Sequence, residues 1–343
     1  MRKLLNTLFV LSEDSYLALE GETVLILCGE EKRGQFPLHT LQSILSFSYK
    51  GASPALMGAC GARGIDLAFL SPRGRFLARV SGEDRGNVLL RKTQYRVSDD
   101  ENQSCRLARS FIFGKLYNCR WSLERTVRDY PLRVDAEALK RACTSLKETL
   151  APVLETEDME MLRGLEGKAA TAYFSVFNEL ILNQKETFSF TARTRRPPLD
   201  PLNALLSFAY SLLAGDCAAA AESAGLDAYV GFLHRDRPGR ASLALDLMEE
   251  LRGVLADRFV VGLINQKTIT GRHFTKSENG AVLLNDEGRK LFLTAWQNRK
   301  REELTHPYIK EKMPWGLVPY IQALLLARYL RGDLDGYPPF LWK

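Results

Sequence analysis

No stretch of this 343-residue chain holds the roughly 18 consecutive apolar residues of a membrane-spanning helix. The opening Met1-Arg2-Lys3-Leu4-Leu5 begins like an export signal, but Asn6, Thr7, Ser12, Glu13 and Asp14 break its apolar run at once. An ordinary first β-strand is the expectation there. Cysteine is sparse and scattered: Cys28, Cys60, Cys105, Cys119, Cys143 and Cys217 form no C-x-x-C pair. That spacing excludes a zinc knuckle and a dithiol redox motif. Without an export signal, the six read as reduced, mostly buried thiols of a cytoplasmic protein. Also missing are a G-x-x-x-x-G-K-[ST] phosphate loop, a dinucleotide fingerprint after a strand, a G-x-S-x-G elbow and H-E-x-x-H. Nucleotide-driven, serine-hydrolase and zinc-protease chemistry therefore have no support. There is no repeat period and no low-complexity segment.

What remains is globular in composition, with 45% hydrophobic and 26% charged residues. The formal charge is +6, and residues 1–98 carry +4 of it. A basic surface near the end of that segment permits a polyanionic partner; a solvated helix face explains the same charge equally well.

The first 85 residues read as short strands: 6–10, 16–20, 23–28, 65–70 and 76–80, the last two flanking the hairpin loop Ser71-Pro72-Arg73-Gly74-Arg75. Between them, Ser53 and Pro54 open a short helix over 53–60 as cap and first helical residue. After Gly86, apolar residues recur at three- and four-residue steps over 87–98, 105–122, 135–150, 158–183, 201–224, 243–251 and 319–330. Strands followed by helices predict an α+β chain: a small N-terminal β-domain (1–85), a linker with a basic helix (86–104) and a larger all-α domain (105–343). The boundary falls near Ser81–Gly86 or in the polar stretch Ser98–Ser104.

Two places suggest chemistry. In Gly231-Phe232-Leu233-His234-Arg235-Asp236-Arg237-Pro238-Gly239-Arg240, an apolar run ends at His234 and becomes basic and turn-forming. The imidazole thus stands where a buried segment emerges. Asp246, Glu249 and Glu250 follow at helical i, i+3, i+4 spacing, among Leu243, Leu245, Leu247 and Met248. Three carboxylates so close raise one another's pKa unless a cation joins them. A solvated face with Arg252 pairing Glu249 is the plainer reading; the apolar surroundings favour a buried helix whose acids have partners. Glu166, in Leu165-Glu166-Gly167, precedes a mostly apolar stretch and by itself reads as a first-turn charge favoured by the helix dipole. Glutamate, histidine and aspartate together make a mixed O/N donor set suited to Mg²⁺ or Mn²⁺. Such a site can stabilise phosphodiester displacement. Arg193, Arg195, Arg196, Arg235, Arg237 and Arg240, with Arg91, are candidates to face phosphate. His273 and His306 are expected at the surface or as capping residues. A non-catalytic DNA-binding scaffold and a metallophosphoesterase of smaller substrates stay open.

Four strings in this order strengthen the first reading: Leu165-Glu166-Gly167; Asp200-Pro201-Leu202-Asn203-Ala204-Leu205-Leu206-Ser207-Phe208-Ala209-Tyr210; Gly231-Phe232-Leu233-His234; and Ser242-Leu243-Ala244-Leu245-Asp246-Leu247-Met248-Glu249. Here the chain resembles the CRISPR-associated adaptation integrase, the metal-dependent DNA endonuclease that inserts new spacers into CRISPR arrays. Its first residues, Lys3-Leu4-Leu5-Asn6-Thr7-Leu8, and its last, Gly336-Tyr337-Pro338-Pro339-Phe340, are most similar to the subtype I-C branch. The resemblance implies catalytic and metal-holding roles for Glu166, His234 and Glu249, with Asp246 a further acidic ligand. It implies strand transfer by a DNA 3′-hydroxyl onto a phosphodiester, on double-stranded and branched DNA. It also implies homodimers, bridged by a small ferredoxin-like partner protein. Exposed edges of the β-domain are the expected dimer contact. Asn203 and Tyr210 are expected to be structural, supporting the helix behind the site.

Overall fold

A computed structural model describes residues 2–4, 7–41, 43–71, 76–80, 87–194, 197–278 and 280–343. The expected hairpin loop at 72–75 and the boundary at 81–86 lie outside them. The fold is mixed α+β, β-rich at the N-terminus and mainly helical after it. It divides into two compact units, each interrupted in sequence.

The first unit takes residues 1–99, 215–244 and 319–337. Strands β1 (Arg2–Leu4), β2 (Thr7–Val10), β3 (Ser15–Glu20), β4 (Thr23–Cys28), β5 (Glu31–Pro37), β6 (Ser43–Ser46), β7 (Asp66–Leu70) and β8 (Phe76–Val80) form two sheets. The five-stranded sheet runs β1-β2-β6-β7-β8, and the three-stranded one β3-β4-β5. Helix α1 (Pro54–Arg63) joins β6 to the parallel β7 in a β-α-β crossover, and β2 also pairs with β6 in parallel, while the outer strands β1 and β8 run antiparallel to their neighbours. Ser53 caps α1 by accepting from Leu56 N–H, with Pro54 at its first position, and Gly64 ends it in the left-handed region. Leu8, Val10, Leu17, Val24, Ile26, Ile44, Leu56 and Leu67 make the fully buried core between sheets and helix. Each such side chain stabilises the fold by about 1.5–3 kcal/mol. Edge strand β5 is the opposite, polar and exposed, with Glu31, Lys32 and Arg33 blunting an edge that would otherwise invite pairing. Helix α2 (Asn87–Asp99) closes the unit, with Gln94 donating to Asp227 and Val230 carbonyls at 2.8 Å.

The second unit takes residues 100–214, 245–318 and 338–343. Its frame is α3 (Glu101–Asp129), 29 residues and so about 43 Å long. Helices α4 (Ala136–Glu155) and α5 (Met159–Ser175) pack on it. All three start on an aspartate, Asp100, Asp135 and Asp158, whose side chain accepts an N–H of the first turn. Then follow α6 (Pro201–Ser223), α7 (Ser242–Leu251), a π-helical segment Arg252–Asp257, α8 (Arg258–Asn265), α9 (Asp286–Arg301) and α10 (Val318–Leu330). Helices α6, α7 and α10 pass from one unit into the other. Contrary to the sequence expectation, α6 is long and apolar enough to cross a membrane. Its alanines and leucines raise its hydropathy, yet 56% of that window is buried inside the fold, as in a core helix of a globular protein. The six thiols are free, five of them buried and Cys28 half-buried.

Candidate active site

Lys115 organises the strongest polar cluster of the second unit. It lies on the buried stripe of α3, beside Phe111, Ile112 and Leu116, and its side chain is only 10% exposed. A buried ammonium needs anions, and two meet it. Glu166 comes from the middle of α5, not from the first turn that its sequence context suggests, and contacts Lys115 Nζ through Oε1. Glu249, from α7, contacts the same Nζ through Oε2 at 2.8 Å. The Glu249 side chain is 4% exposed, and its other oxygen accepts from Arg252 Nη2 at 2.9 Å. Burial works against charge on Lys115 and Arg252, but the carboxylates outweigh it, and both pKa values stand above ordinary.

A cavity of about 40 Å³ adjoins this cluster. Lys115, Glu166, Tyr173, Arg193, Tyr210, Arg252 and Asp257 line it. The guanidiniums of Arg193 and Arg252 both stack on Tyr210, 5.3 and 5.1 Å from its ring centre. Tyr210 donates to Asp257 Oδ1 at 2.6 Å, and Tyr173 to Oδ2 at 3.0 Å. Arg252 Nε–H is buried with no acceptor among the described residues. The π-helical segment matters here. Its i to i+5 repeat puts Arg252 and Asp257 on one face, where an α-helix would turn them apart.

Burial raises Asp257 from the ordinary 3.8 to about 6, against the lowering effect of both tyrosines and of Arg252. Its neutral form is therefore favoured by folding. The stability it contributes is complete below pH about 4 and is lost as pH rises through about 6, on the order of 3 kcal/mol in all. In urea denaturation from pH 4 to 7, Asp257→Asn should show a flatter decline than the wild type. Parallel curves would show that Asp257 carries no such burden.

His234 belongs to the first unit. Phe232 and Leu233 before it are buried, His234 is half-buried, and Arg235 to Gly239 are exposed, so the chain surfaces at the imidazole. Gly231 makes this turn: a Cβ there would meet His234 O and Ser242 Cβ at 2.8 Å. Among the described residues no three His, Cys, Asp or Glu side chains gather closely enough to hold an ion. What converges is a carboxylate pair on one ammonium. Asp246 is fully buried on α7. Glu250, its neighbour in the expected acidic trio, serves a different purpose. It accepts from Phe340 N–H at 2.6 Å.

Of the candidate phosphate contacts, Arg193 faces the cavity and donates to Asn203 Oδ1 at 2.6 Å. Arg91 donates to the Gly225 carbonyl. Arg235 and Arg237 are exposed, and Arg240 reaches Ser242 Oγ at 3.3 Å. Arg195 and Arg196 lie outside the described residues. His273 and His306 are not at the surface; both are buried. The Nδ1 of His273 accepts from Thr270 N–H, and that of His306 from Tyr308 and Ile309 N–H. A second cleft of the same unit, about 380 Å³, is lined by Arg125, Arg133 and Arg258, with Asp129 already paired to Arg125 and Arg128. Burial and its neighbours Arg125 and Arg299 lower Arg258 to about 10.

Residues 8–298 match the family described as CRISPR associated protein Cas1. The chain belongs to the Cas1 family. It is 49% identical over its whole length to the whole of "CRISPR-associated endonuclease Cas1 1" of Chlorobaculum tepidum. It is 50% identical, again over all of both chains, to "CRISPR-associated endonuclease Cas1 2" of Rhodospirillum rubrum. Among solved structures, a casposase bound to its integration product shares the fold, with a TM-score of 0.82, 21% identity and coverage of 99% of this chain and 100% of that one. Against this Cas1 background, sequence reading missed Lys115, Asp257 and Tyr173. The available signal was a lysine at a helical step from Phe111 and Ile112, in a stripe that is mostly apolar. Tyr210, expected to be structural, donates to Asp257 and its ring walls the cavity.

Proposed function

We propose that the chain is a metal-dependent DNA endonuclease and integrase of the subtype I-C branch, inserting DNA fragments into a CRISPR array. One observation carries it: two carboxylates from distant segments converge on a single buried cation position, beside a cavity walled by two guanidiniums. Relatives of about half-identical sequence bear endonuclease names.

Hard oxygen donors that already clasp a cation fit Mg²⁺ or Mn²⁺. Glu166 and Glu249 would hold it; the family resemblance names His234 and Asp246 as further ligands. When bound, such an ion supplies Lewis-acid stabilisation of charge on the phosphodiester. Arg252 offers its open Nε–H, and Arg193 its charge, to phosphate oxygens, where charge grows during displacement. Asp257 fixes Tyr210 between these guanidiniums, so both arrive oriented. The proton of the attacking 3′-hydroxyl passes to His234 or to solvent. Arg235, Arg237 and Arg240, with Arg125, Arg133 and Arg258 in the second cleft, supply salt-sensitive backbone contacts. The assembly is a homodimer bridged by a small ferredoxin-like partner.

The test is direct. Purified protein with branched and linear DNA should cut and join strands in Mn²⁺ or Mg²⁺ and stop on adding chelator. Salt-sensitive binding without metal-dependent cutting would leave a scaffold instead, and turnover of small phosphoesters alone a different hydrolase.

A further inference from the structure

We propose that Lys115 is the resident cation of the Glu166–Glu249 pair, and that a divalent ion enters only by displacing it. This rests on the metal reading of the same pair. Lys115 Nζ touches one oxygen of each carboxylate, the oxygens that an ion between the two residues would take. Such an ion sits about 2.0–2.2 Å from carboxylate oxygen. An ammonium 2.8 Å from the same oxygen competes with it for space and is repelled by its charge. Gly114 lies hard against α7, since a Cβ there would stand 2.9 Å from Glu250 Cβ. Movement therefore falls to the flexible Lys115 side chain. The adjoining cavity gives it a destination: its volume of about 40 Å³ exceeds the space one water needs, and its lining holds another carboxylate, Asp257. The lysine thus holds the place between the two carboxylates before the ion arrives, and lowers the apparent metal affinity by the fraction of time it occupies the position.

Two measurements decide this. Calorimetric titration of Mn²⁺ into metal-free protein should give Lys115→Met an affinity about tenfold or more above wild type, because the competitor is gone. Lys115→Gln, which keeps a polar head without charge, should move the same way. In the unmutated protein, crystals in chelator should show Lys115 Nζ on the two carboxylates, and crystals in saturating Mn²⁺ should show it turned into the cavity. That arm stands even where a variant does not fold. Equal or weaker Mn²⁺ binding by folded variants, or Lys115 Nζ unmoved beside a bound ion, overturns the proposal while leaving the metal reading intact. No Mn²⁺ binding by wild type and variants alike overturns both.

Discussion

Glu249→Gln is expected to abolish metal-dependent DNA cutting and joining, lowering the rate by about 100-fold or more. The substitution keeps shape and removes charge. Glu249 contacts both buried cations, Lys115 and Arg252, and is itself almost sealed from water. It therefore carries both the proposed ion site and the local charge balance. Stripping one partner from a buried pair costs about 3–5 kcal/mol, so the variant should also melt earlier. Glu166→Gln should lose activity to a similar degree with a smaller stability loss, because the Glu166 side chain is 29% exposed and water compensates part of the change. Initial rates with Mn²⁺, alongside thermal melts, separate the two effects. A folded Glu249→Gln that retains wild-type rates would remove Glu249 from the mechanism.

The largest loss of stability from a residue outside the proposed chemistry is expected at Asn118. Its amide donates to the Glu250 carbonyl at 2.7 Å and the Phe340 carbonyl at 2.6 Å, and accepts from Trp342 N–H at 2.8 Å. Glu250 completes the clasp through Phe340 N–H. Trp315 and Trp342 pack on the Phe340 ring. Asn118→Ala leaves three backbone groups without their partner, each costing about 1–3 kcal/mol, so a total on the order of 4 kcal/mol follows. That is a large share of the 5–15 kcal/mol typical of a domain. Urea denaturation should show a lower midpoint with an unchanged slope. A loss under about 1 kcal/mol would mean that water replaces the amide and that the clasp is looser than drawn.

Local chemistry made much of the fold legible. Ser53-Pro54 announces α1, and the aliphatic runs of β3, β4 and β8 stand where alternation places them. Strand β5 was invisible because Glu31-Lys32-Arg33-Gly34 has no apolar face; it exists by pairing with β4. Helix α9 was passed over for a related reason. Phe292 and Trp296, with Gly288, are its only buried residues, against a charge-rich remainder. At the site, a lysine on a helix reads as solvated until the tertiary fold brings Glu166 and Glu249 to it. Glu250 looked like part of an acidic cluster because spacing along α7 says nothing of a distant segment whose N–H it binds. Non-local convergence is what a periodicity cannot carry.

The clasp around Asn118 has a consequence for biosynthesis. Asn118 and Phe340 are 222 residues apart. At ribosomal speeds of about 5–20 residues per second, the amide waits roughly ten to forty seconds for its partner. Over that interval the helical unit holds an incomplete interior, with the Glu250 carboxylate lacking the N–H that it later binds. The nascent chain is then at its most vulnerable to chaperone capture and proteolysis, and its fate turns on how fast Phe340 and Trp342 arrive.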